Sequence, residues 1–449
     1  MCTYESPTSL FPPAELLSIG GILKQKKELQ IKLIDCIATQ KNETESLLEI
    51  NKFKPQYIVT LIGFETFEND ISFLNKLKSK FPNIKIIGFG HYPTIFSHEI
   101  LKKSTIDFIV QGEPEYELAD FFDSISTNSN ILPEGLLSLN SENEKTPSQV
   151  KRLKTSQLNF KPNISLLTSK NYFEPLMPQP LGIIQSARGC PYQCNFCVKS
   201  YGTKLTYKSE SQILEEIIDW QENYGAKSIR FIDDTFTISE SRVIKLCNLI
   251  KKENIKIPWT CLSRLDTLTE RMALAMKEAG CKRIYFGIES GSQRILDLYE
   301  KGYNIKEAHQ VINFCAKLGI ETVGFFMTGL PDETEKDFEE TLKFLRDSKL
   351  TFAGVGELTI YPGTALFGIY ENDLEFSLFP YINKFKDPSV RITFNDRKQR
   401  FEKEFYNLKK ITQLSLKIMK QPKSSYNFGK NILSSKQKGF YSIIPSISN

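Results

Sequence analysis

No uninterrupted apolar run in this sequence approaches the ~20 residues needed to cross a bilayer, so a membrane-spanning helix is not expected. The opening Met1-Cys-Thr-Tyr-Glu-Ser-Pro7 has no basic run followed by an apolar segment, and no secretory signal is expected either. A disulfide framework is also missing. Six of the nine cysteines are scattered singly, at Cys2, Cys36, Cys247, Cys261, Cys281 and Cys315, which fits a reducing cytoplasm. The formal charge of +5 is slight for 449 residues. There is no basic stripe and no basic run interleaved with aromatics, so a nucleic-acid-binding module is not expected. What remains is a globular composition, 40% hydrophobic and 25% charged. At ~150 residues per domain the length suggests two or three domains.

Between about residues 10 and 140, helix-like stretches alternate with the short apolar runs Ile31–Ile34, Tyr57–Ile62, Ile84–Ile87 and Phe108–Val110. Such runs are strands buried on both faces of a parallel sheet, and the region reads as an open, doubly wound α/β domain. Residues 125–165 turn polar, rich in Ser, Asn, Thr, Glu and Lys, as in a mobile connection. From residue 181 the alternation resumes. Strands are expected at 181–187, 228–233, 257–262, 283–288, 321–327 and 355–361, with helices at about 209–223, 239–253, 268–279, 304–317 and 333–347. Six βα repeats describe a partial (β/α)6 barrel, whose chemistry sits on the loops after the strands. Beyond residue 370 the chain is basic and aromatic, with a helix expected over Lys398–Ile411. A basic amphipathic helix suits a peripheral membrane contact, an acidic partner, or plain packing on the barrel. The expected division is 1–140, a connection at 141–175, a barrel at 176–370 and a helical extension at 371–449.

Three thiols fall within eight residues, Cys190, Cys194 and Cys197, on the first of the strand-to-helix loops. Thiolates ligate iron-sulfur clusters, and a cubane held by three cysteines keeps one iron open for a substrate or cofactor. Structural zinc is closed by four ligands, and neither a histidine nor a fourth cysteine lies near the triad.

With this C-x-x-x-C-x-x-C run and Phe196 before its last cysteine, the chain resembles the radical S-adenosylmethionine (SAM) superfamily. The resemblance implies a [4Fe-4S] cluster whose open iron chelates SAM and an electron that cleaves it to a 5′-deoxyadenosyl radical. It also implies an external donor of the flavodoxin or ferredoxin type. By the same resemblance, Asp233 or Asp234 would bind the methionine ammonium; the other reading is that one of them caps the next helix. Arg264 would pair with the SAM carboxylate, and Glu289, in Gly287-Ile-Glu-Ser-Gly-Ser292, would take the ribose hydroxyls with Ser290 beside it. Gly329 would lie in the segment that packs against adenine. Tyr285, Phe286, Phe325 and Phe326 near the mouth could line a substrate cavity, but alternation sends half of them outward to the helices.

Phe11-Pro-Pro-Ala-Glu-Leu-Leu17, Gly88–Thr94 and Asp107–Glu115 resemble the cobalamin-binding domain that precedes the barrel in one branch of this superfamily. That implies cobalamin as a third cofactor, with His91 near the ligand edge of the sheet or simply bonded to backbone there. No Asp-x-His-x-x-Gly run offers cobalt a lower ligand. Relatives also place an apolar strand before the Pro-Pro helix, and Met1–Pro7 cannot form one. Either the chain starts late, another segment fills that central slot, or the domain has lost its corrin. The activity implied is cobalamin-dependent methylation of an unactivated carbon, with a radical cyclase or other rearranging enzyme as the alternative and a non-catalytic iron-sulfur carrier as a remote one. A small-molecule substrate is expected, and nothing in the sequence identifies it.

Overall fold

The apolar runs of the N-terminal third become strands because each places β-branched residues on both faces of a covered sheet; Ile58, Val59, Ile86, Ile87, Ile109 and Val110 are all completely buried. In this computed structural model the described residues are 9–26, 29–64, 66–127, 129, 132–139, 158–329, 332–407 and 441–447. The strands in chain order are β1 (Leu29–Asp35), β2 (Tyr57–Leu61), β3 (Lys85–Phe89), β4 (Phe108–Val110) and β5 (Leu136–Ser138), then β6 (Leu181–Ile184), β7 (Ala187–Arg188), β8 (Thr206–Tyr207), β9 (Ser228–Phe231), β10 (Trp259–Ser263), β11 (Cys281–Glu289), β12 (Glu321–Thr328) and β13 (Phe352–Glu357). A hairpin, β14 (Leu374–Ser377) and β15 (Ile382–Phe385), and a last strand, β16 (Tyr441–Ile447), complete them.

The N-terminal sheet has the order β1-β16-β2-β3-β4-β5. β2, β3 and β4 are parallel, and β5 returns antiparallel on β4. Of the three possibilities raised for the missing central strand, the fold realises the second. β16 runs antiparallel between β1 and β2, pairing Leu33 with Ile443 and Ile443 with Val59. A sheet needs both neighbours of a central strand to have their N–H and C=O groups paired, and the far end of the chain supplies that pairing.

The second sheet, β6-β9-β10-β11-β12-β13, is wholly parallel and follows sequence order. Helices Glu210–Asp219, Glu240–Lys252, Glu270–Glu278, Ile305–Lys317 and Glu335–Asp347 connect its strands. Their starts are written in the sequence as capping boxes at Ser209/Gln212 and Thr334/Asp337 and as side-chain caps at Thr269 and Asn304.

Three expectations need correction. The polar stretch 125–165 is not a mobile connection throughout: β5 lies within it, and Leu158, Phe160 and Ile164 are buried. Apolar residues at 136, 137, 158 and 160 outweigh the polar ones around them; residues 140–157 fall outside the described set. The sixth barrel strand is Phe352–Glu357 rather than 355–361, because its pairing runs from Val323 to Thr328, where its parallel neighbour β12 ends. The extension holds the β14–β15 hairpin as well as a helix, which begins at Pro388 rather than 398 and is described as far as Asn407. Residues 408–411 lie outside the described set.

Candidate active site at the barrel mouth

The loop carrying the three thiols is closed at its base by β7 and β8, which pair Ala187 with Tyr207 and Arg188 with Thr206. Gly189 follows with φ +88°, and a Cβ there would lie 2.3 Å from the Lys204 carbonyl oxygen, so only glycine fits. Cys190 N–H donates to the Gly202 carbonyl (3.1 Å), and Cys197 N–H to that of Cys194 (3.2 Å). Asn195 moors the loop to the barrel. Its N–H donates to Tyr299 O and its Nδ2 to Leu298 O, while its own carbonyl accepts from Leu366 N–H.

Cys194 is buried, Cys190 half-buried and Cys197 exposed. Burial pushes the Cys190 thiol up, as do Asp234 and Cys194. Burial pushes Cys197 up to about 12, with Asp234, Cys194 and Cys190 as further causes, although the residue as a whole is exposed. Negative charge from Asp234 and neighbouring thiols works against the thiolates of Cys190 and Cys197, which suits a place for a cationic metal group. Arg264 Nη1 donates to Cys194 Sγ at 3.4 Å, a second-layer contact of the kind that tunes a metal-bound thiolate. Among the described residues no three His, Cys, Asp or Glu side chains are placed to hold a single metal ion. Three thiol donors on one loop fit a multinuclear cluster with one iron left open.

The paired aspartates divide their work. Asp233 is completely enclosed, and its carboxylate accepts from Ser186 N–H (2.6 Å), Ala187 N–H (3.0 Å) and Ser186 Oγ. Those bonds fix the start of the cysteine loop and engage both carboxylate oxygens of Asp233. Asp234 faces Cys190 and Cys197, and burial raises its pKa. Neither caps the following helix, whose N-cap is Ser239.

Arg264 is placed otherwise than expected. Its fork closes on Asp266 through Nε (2.9 Å) and Nη2 (2.8 Å), its Nη2 also reaches Lys301 O, and its plane stacks 3.6 Å from the Tyr192 ring centroid. A guanidinium already holding a carboxylate bidentately two residues away has little left for the carboxylate of SAM. Ser290 is also displaced from its expected role. It is buried with its hydroxyl on Thr341 Oγ1 (3.1 Å), in the helix behind the strand, because the alternation at the end of β11 turns it away from the mouth.

Glu289 is buried at the end of β11, where the register shifts against β12, and its φ is +68°. A left-handed glutamate costs on the order of 1–3 kcal/mol and is characteristic of functional sites. Gly329, at φ +93°, donates its N–H to Glu333 (3.0 Å) and faces Phe394 of the C-terminal helix. Phe196 stands edge-on to Tyr299, with ring centroids 5.4 Å apart. His91 lies at the end of β3 with Nε2 3.2 Å from Pro362 O and its ring 4.8 Å from Phe64, the backbone-bonded reading. Alternation divides the four aromatics as expected. Tyr285 stacks on Phe325 at 5.6 Å, while Phe286 and Phe326 are buried toward the helices.

Sequence reasoning missed several participants. Lys301 holds Glu289 at 2.7 Å. Arg188, two residues before Cys190, binds Glu113 (2.8 Å) and Glu115 (2.5 Å) across the gap between the two sheets, under the ring of Tyr201. Glu113 and Glu115 lie in the quoted Asp107–Glu115 motif, so their acidity was legible; their partner was not. Four of the single cysteines also meet. Cys247, Cys261, Cys281 and Cys315 are all buried, with the Cys281 thiol hydrogen-bonded to Cys261, and burial pushes Cys247 and Cys315 up to about 12. They act as small neutral core residues.

For cobalamin the fold supplies the place: the carboxyl ends of the N-terminal strands face the carboxyl ends of the barrel strands, touching at Arg188 with Glu113/Glu115 and at His91 with Pro362. At this edge His91 has its Nε2 on the Pro362 carbonyl, and no Asp-x-His-x-x-Gly run accompanies it; a corrin held without a protein ligand to its metal fits these residues.

The radical SAM superfamily model matches residues 184–345. An uncharacterized methyltransferase of Pyrococcus horikoshii is 31% identical over 362 residues, 79% of this chain and 77% of that protein. An anaerobic magnesium-protoporphyrin IX monomethyl ester cyclase of Rubrivivax gelatinosus is 22% identical, with 89% of this chain and 74% of the relative aligned. Among solved structures, the cobalamin-dependent SAM radical enzyme OxsB, with aqua-cobalamin and SAM bound, superposes with a TM-score of 0.72 at 16% identity over 97% of this chain and 74% of that one. The radical SAM methyltransferase TsrM of Kitasatospora setae gives 0.66 at 17% identity, covering 80% and 73%. Three thiols on the loop after the first barrel strand, inside the matched segment, together with the Pyrococcus horikoshii relative, place this chain in the radical SAM superfamily, and its N-terminal sheet ahead of the barrel shares the fold of OxsB and TsrM.

Proposed function

We propose that the chain holds a [4Fe-4S] cluster on Cys190, Cys194 and Cys197, cleaves SAM reductively, and serves cobalamin-dependent methylation of an unactivated carbon in a small molecule. The observation that carries this reading is the moored three-thiol loop with Asp234 and the strained Glu289 facing the same mouth. The bound groups supply the electron that breaks the sulfonium and the carrier for the methyl group. The chain's own residues place and protect. Asp233 and Asn195 fix the loop, and Arg264 donates to the Cys194 sulfur. Asp234 is the acceptor for the methionine ammonium, and Glu289 for the ribose hydroxyls. Arg264, with its fork on Asp266, tunes sulfur rather than binding the carboxylate. The electron comes from an external flavodoxin- or ferredoxin-type donor.

Anaerobic reconstitution with cobalamin, followed by iron, sulfide and cobalt counting, tests this. The expected result is an iron-to-chain ratio of about four, with cobalt retained. Turnover mixtures should contain both 5′-deoxyadenosine and S-adenosylhomocysteine. Iron without cobalt, with only 5′-deoxyadenosine and methionine formed, would sink methylation and favour the chemistry of the cyclase-named relatives.

A further inference from the structure

Lys301 was singled out by nothing in the sequence. It stands in a Lys-Gly turn after a short helix, where a lysine is ordinarily solvated. Here it is only 6% exposed. A buried ammonium persists only where it is paired. Its Nζ lies 2.7 Å from Glu289 Oε1 and 5.8 Å from the centre of the Phe196 ring, the aromatic just before Cys197. The turn is shaped to deliver it, with Glu300 at φ +53° and Gly302 at φ +74° on either side. Space is reserved for it as well. A Cβ on Gly287 would lie 2.4 Å from Glu289 Oε1 and 3.1 Å from Lys301 Nζ, so only glycine on β11 leaves room for the pair.

The same turn gathers the other parts of the mouth. Leu298 O and Tyr299 O accept from Asn195 of the cysteine loop, and Lys301 O accepts from Arg264, whose other arm reaches Cys194. Lys301 thus joins Glu289 to the loop that bears the thiols. The pairing is one-sided. Oε1 is given to the ammonium, and among the described residues Oε2 accepts no hydrogen bond. A pair serving stability alone would need neither a left-handed glutamate nor an open acceptor, since buried ion pairs contribute little net stability.

We infer that Lys301 is a positioning residue for the nucleoside of SAM: it holds the Glu289 carboxylate turned so that Oε2 meets the ribose diol. This rests on the reading of Glu289 as the ribose acceptor. The test uses the reconstituted full chain and equilibrium dialysis with two probes, SAM and SAM lacking the ribose 2′-hydroxyl. The wild type should bind SAM roughly tenfold tighter than the 2′-deoxy probe, the worth of one hydrogen bond to a charged group. Lys301→Met and Lys301→Gln should bring that ratio close to one with iron content unchanged, and Lys301→Arg should restore most of it. Should Lys301→Met fail to assemble its cluster, the Gln and Arg variants decide. A wild-type ratio near one, or one that Glu289→Gln leaves intact, would overturn the ribose reading and this inference with it. A ratio lost in Glu289→Gln but kept in both neutral Lys301 variants would overturn the role of Lys301 alone.

Discussion

In the barrel sheet each strand pairs with those next to it in sequence among the sheet's own members, whereas the N-terminal sheet sets β16, nearly four hundred residues away from β2, between β1 and β2. The first arrangement closes through βα units of local reach; the second depends on a return from the far end of the chain. The thiols, Asp234, Glu289 and Lys301 all ride on the first. The second meets it through Arg188, Glu113 and Glu115 and through His91. Chemistry that needs fixed geometry thus sits on the sheet with the more local closures.

The largest effect should come from breaking the barrel's own site. Cys194→Ala is expected to abolish both iron binding and SAM cleavage, measured by iron counting and 5′-deoxyadenosine formation. Cys315→Ala, in the buried thiol group behind the barrel, should leave both intact. Loss of iron in Cys315→Ala would show that the ligand assignment is wrong.

Next comes the return strand. A chain ending at residue 440 loses the partner of both β1 and β2. Hydrogen exchange in Leu29–Asp35 and Tyr57–Leu61 should quicken by orders of magnitude, with Ser228–Phe231 of the barrel still protected and iron retained. Unchanged protection in β1 would mean that β16 is no working member of the sheet. Equal loss in β9 would mean that the two sheets unfold as one unit.

A third test strikes the joint between them. Arg188 is 2% exposed and is shared by two buried carboxylates. Arg188→Met leaves both without their cation and should cost about 3–5 kcal/mol in denaturant unfolding. The triple change that adds Glu113→Gln and Glu115→Gln should recover much of it. No recovery would show that the arginine acts mainly by stacking under Tyr201 and Phe160.

This contrast also explains what could be read from the chain. Barrel strands and helices were legible to within a few residues because each repeat is amphipathic and capped locally, as at Ser209 and Thr334. The sequence raised the possibility that another segment fills a central slot of this sheet; which segment was not legible, since Tyr441–Ile447 is a short apolar run with a proline in it and nothing local says where it pairs. In the site, the cysteine spacing announced itself, and so did the acidic strand ends. What was hidden depended on side-chain direction: that Asp233 turns inward to Ser186, that Arg264 closes on its own near neighbour Asp266, and that Lys301 turns in from a turn that reads as solvated.

The smallest effect sharpens the comparison from the barrel side. Asp337 caps the helix after β12 by accepting from Thr334 N–H (2.8 Å), takes the Ser292 hydroxyl (2.8 Å) at the end of β11, and holds Arg294, all within 45 residues of chain. Although burial opposes it, the Arg294, Thr334 and Ser292 donors together hold its carboxyl well below the usual carboxylate range. A carboxylate with a depressed folded-state pKa adds stability that is fully present above its unfolded value of about 3.9 and is lost as pH falls through the folded one. Asp337→Asn keeps the shape but drops the charge, and at neutral pH should cost about 1–2 kcal/mol. Arg294 is half-exposed, so its share is screened. The gap between wild type and variant should hold steady above about pH 5 and narrow below about pH 4. A gap indifferent to acid would mean that the tie works through shape alone, and the barrel's local closures would then be packing rather than charge.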